Sequence, residues 1–203
     1  MTPAECEKWV EFGQTLELEA PKPPGKDEAE RTNCTCPLFL HPVHPVKLTR
    51  LVLALAVRFQ IYAPKFAAQL HTILSPYLLS PAFTSPTPPK ALYPKIRIYD
   101  YPPHTFFRPH YDESTTDALT SLVSKWTLLV YLTGYPDVKG GETVFWTREP
   151  NAKGRNGECL EVGLRRGRAV LHRHGGDCLL HEGKEVEVGH KWILRSDVMY
   201  SGE

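Results

Sequence analysis

Three residues of this 203-residue chain have the types and placement to hold a metal: His110, Asp112 and His181. In Phe107-Arg108-Pro109-His110-Tyr111-Asp112 an imidazole and a carboxylate stand two positions apart. In an extended strand such residues project from the same face, roughly 7 Å apart along the strand. Taken alone, the pair reads equally as a hydrogen-bonded or solvated strand edge. His181 follows two apolar residues in Leu179-Leu180-His181-Glu182-Gly183 and precedes a turn. Taken alone, it reads as a strand-end histidine with a hydrogen bond. Together, two imidazoles and one carboxylate make the facial triad of non-haem Fe(II), which leaves three positions of an octahedron open.

A second group lies in Gly189-His190-Lys191-Trp192-Ile193-Leu194-Arg195. Alternation puts Lys191, Ile193 and Arg195 on one strand face and Trp192 and Leu194 on the other. A cation on an inward face is costly unless paired, and an anionic ligand would pair it. Lys191 lies ten residues after His181, so a hairpin could return it towards the metal. The competing reading is a surface lysine with its stem along apolar groups. His172-Arg173-His174 is another possible metal pair, set aside because no acid is placed to complete a triad around it. His41, His44, His71 and His190 read as loop or surface residues. Trp126, Trp146 and Trp192 read as packing, and Arg148 as a solvated charge.

Certain elements must position these groups. Thr2-Pro3-Ala4-Glu5 is a helix start, with Thr2 as cap, Pro3 in the first turn and Glu5 returning a bond; the helix runs to about Leu16. Residues 20–45 are polar and proline-rich, hence loop. Leu48, Leu51, Val52, Leu55, Phe59 and Ile61 fall at three- and four-residue steps, which predicts a helix over 46–61. Pro64 starts another, through Phe66, Leu70, Ile73 and Leu74, and 80–90 is again loop. After Lys90 the pattern predicts strands near 94–101, 106–112, 126–133, 142–147, 159–164, 168–172, 177–182 and 190–199. The expectation is one α+β domain over 1–203, mainly β with a helical N-terminal half. Residues 1–90 would be helical support and loops, and 91–203 a β-helix (jelly roll) core bearing the site.

Composition excludes several classes. Net charge is +1 with 23% charged residues and no block of like charge, so neither nucleic acid nor an anionic membrane is an expected partner. Met1 to Lys8 has no basic start and no apolar core, unlike a signal peptide. The apolar run Leu51–Val57 is too short to span a bilayer. A cytoplasmic location is therefore expected. Five cysteines (Cys6, Cys34, Cys36, Cys159, Cys178) are expected to be free thiols. Cys34 and Cys36 are two close thiolates without a second pair, a weak metal site.

From about Tyr93 to Tyr200 the chain resembles the prolyl 4-hydroxylase-like branch of the 2-oxoglutarate/Fe(II) dioxygenases. The resemblance rests on Tyr101 through Asp112, Thr127-Leu128-Leu129-Val130-Tyr131-Leu132, Gly140-Gly141-Glu142-Thr143-Val144-Phe145, His181-Glu182-Gly183 and His190-Lys191-Trp192, in that order. It extends more loosely to Ala4-Glu5-Cys6 and Ala29-Glu30-Arg31-Thr32-Asn33. It implies a double-stranded β-helix with the metal between two sheets. It implies Fe(II) on His110, Asp112 and His181, and Lys191 on the distal carboxylate of 2-oxoglutarate, with Arg195 sharing that role or binding an acidic substrate. Tyr101 matches a tyrosine that hydrogen-bonds the cosubstrate, and Gly140-Gly141 a turn that starts a core strand. The implied reaction hydroxylates an unactivated C–H bond of a prolyl peptide or small molecule, releasing succinate and CO₂, with ascorbate as reductant. Pro102-Pro103-His104-Thr105-Phe106 departs from the glycines relatives often carry there, making a stiffer, bulkier loop at the entrance. Two rival readings stay open: a non-catalytic metal-binding β-roll or interaction module, and a zinc hydrolase on the same ligands.

Overall fold

A computed structural model describes residues 1–15, 57–80, 87–150 and 156–202. Helix α1 (Pro3–Thr15) begins as its sequence predicts. The Thr2 amide donates to Glu5 at 2.8 Å while the Glu5 amide donates to the Thr2 hydroxyl at 3.3 Å, a reciprocal cap. Strand β1 (Val57–Tyr62) and helix α2 (Pro64–Leu78) follow, Pro64 fitting the first helical turn, where no amide proton is needed. The strands after them are β2 (Ala91–Leu92), β3 (Lys95–Tyr101), β4 (Phe107–His110), β5 (Leu122–Tyr131), β6 (Lys139–Gly140), β7 (Thr143–Arg148), β8 (Glu158–Val162), β9 (Ala169–Arg173), β10 (His181–Gly183), β11 (Val186–Val188) and β12 (Lys191–Ser201).

Two expectations are corrected: the strand near 177–182 is confined to 181–183, after a 3-10 turn over 175–177, and a predicted helix end is a strand. Where the chain is described, 57–62 is a strand and not the end of a helix; 46–56 lie outside the described residues. Phe59 and Ile61 satisfy a two-residue period as well as a helical one over so short a stretch. Pairing with β3, from Val57↔Asp100 to Tyr62↔Lys95, decides between them. A helical N-terminal half is not shown: among the described residues before 91, α1 and α2 are helical and β1 between them is a strand. The loop over 20–45, with Cys34, Cys36, His41 and His44, lies outside the described residues. Cys6, Cys159 and Cys178 are free thiols. Among the described residues no helix is long and apolar enough to cross a membrane.

The strands pair antiparallel. One sheet has the order β1-β3-β12-β5-β9 with β2 beside β12; another has the order β4-β10-β7-β8; β11 and β6 form a small ladder. Period-two alternation along β12 divides two cores. Trp192, Leu194, Val198 and Tyr200 face outward and pack with Ile96, Ile98, Leu128 and Val130 against Cys6, Leu70, Leu74 and Leu78 of the helices. Ile193 faces inward and packs with Tyr101, Tyr131, Val138 and Val186. The hydroxyl of Tyr131 on β5 donates to Thr143 on β7 at 2.8 Å, tying the inner faces of the two larger sheets. This strand-rich arrangement of two facing antiparallel sheets fits a double-stranded β-helix.

Candidate metal and cosubstrate site

His110 closes β4 and His181 opens β10, and the two are direct partners across that antiparallel pair. Their rings lie 4.2 Å apart between centroids. Each Nδ1 faces a backbone oxygen two residues upstream: Arg108 O at 2.8 Å for His110 and Leu179 O at 2.9 Å for His181. A carbonyl only accepts, so each Nδ1 carries the proton and each Nε2 keeps a lone pair. Burial and the neighbouring His181 push the His110 imidazole down to about 4, and burial lowers His181 as well. Both rings are therefore neutral at physiological pH, the form that binds metal.

Asp112 stands just past β4, its amide donating to the Cys178 thiol at 3.2 Å and its carbonyl accepting from Gly175 at 2.9 Å. Its Oδ1 is 3.7 Å from His110 Nε2 and its Oδ2 is 4.0 Å from His181 Nε2. Donor atoms of the three residues lie within 4.8 Å of one another. Imidazole and carboxylate bonds of about 2.0–2.2 Å set neighbouring donors roughly 3 Å apart, so closure by about 1 Å would seat a divalent ion. Two neutral imidazoles and an ionised carboxylate, with Asp112 and His181 buried and His110 half-buried, fit such an ion.

Lys191 begins β12 opposite Tyr101 of β3. Its ammonium is buried, 5.5 Å from the Tyr101 ring centre and 6.0 Å from that of Tyr131. It donates to the neutral carbonyl of Gly141. Burial lowers its pKa to about 8, against an opposing pull from Glu142. Two glycines make room for it. At Gly141, with φ +75°, a Cβ would come within 3.1 Å of the lysine stem; at Gly183 it would lie 3.4 Å from Nζ. Gly183 is two residues beyond His181 on β10, which puts the ammonium roughly 7 Å along the strand from the metal donors.

Residues 96–196 match the model of the 2OG-Fe(II) oxygenase superfamily. That span holds all three donors and Lys191. The chain belongs to this superfamily. In fold it is like a viral collagen prolyl hydroxylase from Paramecium bursaria Chlorella virus-1, with 13% identity over 100% of this chain and 92% of that one, at a TM-score of 0.57. It is also like a prolyl-4-hydroxylase from Pseudomonas putida, with 16% identity over 98% of this chain and 84% of that one, at a TM-score of 0.51. No curated protein matches it in sequence. It is an Fe(II)/2-oxoglutarate dioxygenase of prolyl 4-hydroxylase-like fold, which sets aside the zinc-hydrolase and non-catalytic readings.

The oxygenase places Arg195 elsewhere than Lys191. Its guanidinium meets Asp112 Oδ2 at 2.9 Å, the Thr127 hydroxyl at 3.2 Å and Asp197 at 3.5 Å. Burial opposes its charge, but Asp112 and Asp197 outweigh burial and keep it ionised. Burial would likewise raise the Asp112 carboxyl, but Arg195, His172 and the Thr127 hydrogen bond hold it below the usual carboxylate range.

Thr127, His174, His172 and Cys178 were not read from the sequence as part of the site. Thr127 donates to Asp112 Oδ2 at 2.6 Å, so His174 Nε2, 2.7 Å from the same hydroxyl oxygen, is the donor to it. His172 is paired across from Thr127 on β9, buried, with Nε2 3.6 Å from Asp112 Oδ2 and its ring 4.4 Å from that of His181. The acid that His172 lacks in sequence is therefore supplied by Asp112 in three dimensions. His172, Cys178 and His181 also bring donor atoms within 4.8 Å of one another. The available signal was the inward phase of β5 and β9: Thr127, Leu129 and Tyr131 alternate with the helix-facing Leu128 and Val130.

Proposed function

We propose that His110, Asp112 and His181 hold Fe(II), that Lys191 binds the distal carboxylate of 2-oxoglutarate, and that the protein hydroxylates an unactivated C–H bond of a prolyl peptide or small molecule. The observation that carries this is the buried ammonium over Gly183, two residues along β10 from the metal donor His181. That span suits a five-carbon dicarboxylate whose other end meets the metal. Tyr101, Tyr131 and Thr143 line the ammonium end, where an ionised carboxylate would meet Lys191. His110 and His181 offer Nε2 because backbone carbonyls fix the opposite tautomer, and Asp112 is held ionised to complete the face. Bound iron and 2-oxo acid supply oxidative decarboxylation and the oxidant for the C–H bond; the protein orients them and excludes water. Residues 1–203 act as one domain in this reading, with α1 and α2 bracing a double-stranded β-helix. Ascorbate is its reductant.

The test is anaerobic addition of Fe(II) and 2-oxoglutarate. The chelate is expected to give a weak visible charge-transfer band, lost in His110→Ala. Under air, succinate release screened against proline-containing peptides and free amino acids assigns the substrate class. Absence of both band and succinate in the native protein would overturn the proposal.

A further inference from the structure

The two oxygens of Asp112 have different surroundings. Oδ2 accepts from the Thr127 hydroxyl at 2.6 Å and from Arg195 Nη2 at 2.9 Å, with His172 Nε2 at 3.6 Å. Oδ1 faces His110 Nε2 at 3.7 Å, and Oδ2, besides its donors, lies 4.0 Å from His181 Nε2. Both donors to Oδ2 come from the floor of the larger sheet: Thr127 from β5, Arg195 from β12, one rung apart through the Thr127↔Asp197 and Leu129↔Arg195 pairs. The donors are themselves held. Thr127 accepts from His174 Nε2 at 2.7 Å, and Arg195 is backed by Asp197, which Arg97 binds at 2.8 Å. A charge-assisted bond from a guanidinium is among the stronger ones available to a carboxylate. One oxygen of the acid is thus taken by the protein.

A carboxylate can bind a metal through one oxygen or two. With both, it takes an extra coordination position. The reaction of this superfamily needs three open positions beside the facial triad. We propose that Arg195, together with Thr127, reserves Oδ2 of Asp112, so that the acid offers the metal Oδ1 alone and leaves the position that the cosubstrate chelate requires. Arg195 is a positioning residue: it acts through Asp112. The inference rests on the metal reading of the triad given above. It reassigns the second inward cation of β12, which stands four residues from Lys191 and binds the metal ligand Asp112.

The sign of the effect matters, because Arg195 influences a divalent cation in two ways. Removing it lifts a repulsion, which favours metal binding, and frees Asp112 Oδ2, which disfavours the open geometry. Metal affinity alone does not separate these. Cosubstrate binding to metal-loaded Thr127→Val does, since that variant keeps the Arg195 charge and changes only the hold on Oδ2, whereas Arg195→Met also removes a cation that attracts the cosubstrate dianion. The experiment uses anaerobic Fe(II)-loaded protein titrated with 2-oxoglutarate, followed by the visible band, with Co(II)-substituted protein for the ligand-field spectrum. Native protein, Arg195→Met, Arg195→Lys and Thr127→Val are compared. Thr127→Val changes no charge and keeps the shape, so it covers the case in which Arg195→Met fails to fold.

The 2-oxoglutarate concentration at half-saturation is expected to rise roughly tenfold or more in Arg195→Met and in Thr127→Val, the size expected for a lost hydrogen bond to a charged group. The Co(II) spectrum is expected to change in both, and Arg195→Lys, which keeps the charge without the fork, is expected to fall between them and the native protein. A merely structural role would lower the apo unfolding midpoint and leave both readouts of the loaded protein unchanged. Half-saturation within twofold of native in Arg195→Met and Thr127→Val, with an unchanged Co(II) spectrum, overturns the positioning role while the triad stands. A native Co(II) spectrum insensitive to His110→Ala overturns the triad itself, and the positioning role with it.

Discussion

Burial lowers the Lys191 ammonium to about 8, with Glu142 pulling the other way. In the proposed role the ammonium must be charged to hold a carboxylate, so the protein faces a proton equilibrium close to physiological pH. The direction is set by linkage: the anion binds the protonated form, and protonation of the free protein is complete below about 8 and lost above it. Cosubstrate affinity is therefore expected to be flat from pH 6.5 to 7.5. It should then weaken by about tenfold per unit once the pH is well above 8. Titration calorimetry of 2-oxoglutarate into the metal-loaded protein across pH 6.5–9.5 measures this directly. Lys191→Arg should flatten the profile, because a guanidinium stays charged over the whole range. A native profile flat to pH 9.5, together with Lys191→Met binding 2-oxoglutarate as tightly as the native protein, would show that Lys191 does not bind the carboxylate.

Elements carry these residues, and the legibility of the sequence varies with them. His110 and Asp112 are readable as a pair because the strand period of two is local, even though β4 ends at His110 and Asp112 lies two residues past it. Lys191 was readable because β12 keeps a strict alternation, Trp192 and Leu194 towards the helices and Lys191 and Ile193 towards the second sheet. The segment 57–62 is not legible as a strand because two apolar residues, Phe59 and Ile61, cannot distinguish two periods; only their pairing with β3 does. His172 was set aside because its acid comes from a different strand region, and no spacing rule reaches from residue 112 to residue 172. The docking of α1 on the outer face of β12 makes a further point. A Cβ added at Gly13 would lie 2.5 Å from the Trp192 ring, which itself stacks on Phe59 at 6.4 Å. Ala at a helical position gains up to about 1 kcal/mol over Gly, while overpacking costs about 1–3 kcal/mol. The ring is pinned on both sides, so the clash should win. Gly13→Ala is expected to lose about 1 kcal/mol in urea unfolding, with the Fe(II)/2-oxoglutarate band retained below the transition. A gain in stability would mean that the helix shifts freely over the sheet.

Across the whole molecule, the space between the two larger sheets changes character from end to end. Around Ile193, Tyr131, Val138 and Val186 it is an apolar core. Towards the metal donors it becomes a line of alternating charge: Asp112, Arg195, Asp197 and Arg97, linked at 2.9, 3.5 and 2.8 Å. Two acids and two bases balance, so the line is neutral as a unit and each member depends on its neighbour. Asp197 is the inner acid, buried between both arginines. Removing it leaves two cations facing each other in a poorly solvated layer, the situation that costs about 3–5 kcal/mol when one partner of a buried pair is lost. Asp197→Ala is therefore expected to lose about that much in urea unfolding. The double variant Asp197→Leu with Arg97→Met removes the outer pair together and leaves Asp112 and Arg195 balanced. Replacing a buried ion pair with apolar groups of similar size is often neutral or stabilising. The double variant should accordingly be more stable than Asp197→Ala, although it changes more atoms. If instead the two losses add, the charges act independently and the layer is not a unit. The same comparison bears on the site, because Arg195 keeps Asp112 in the double variant: its metal-dependent visible band should survive there.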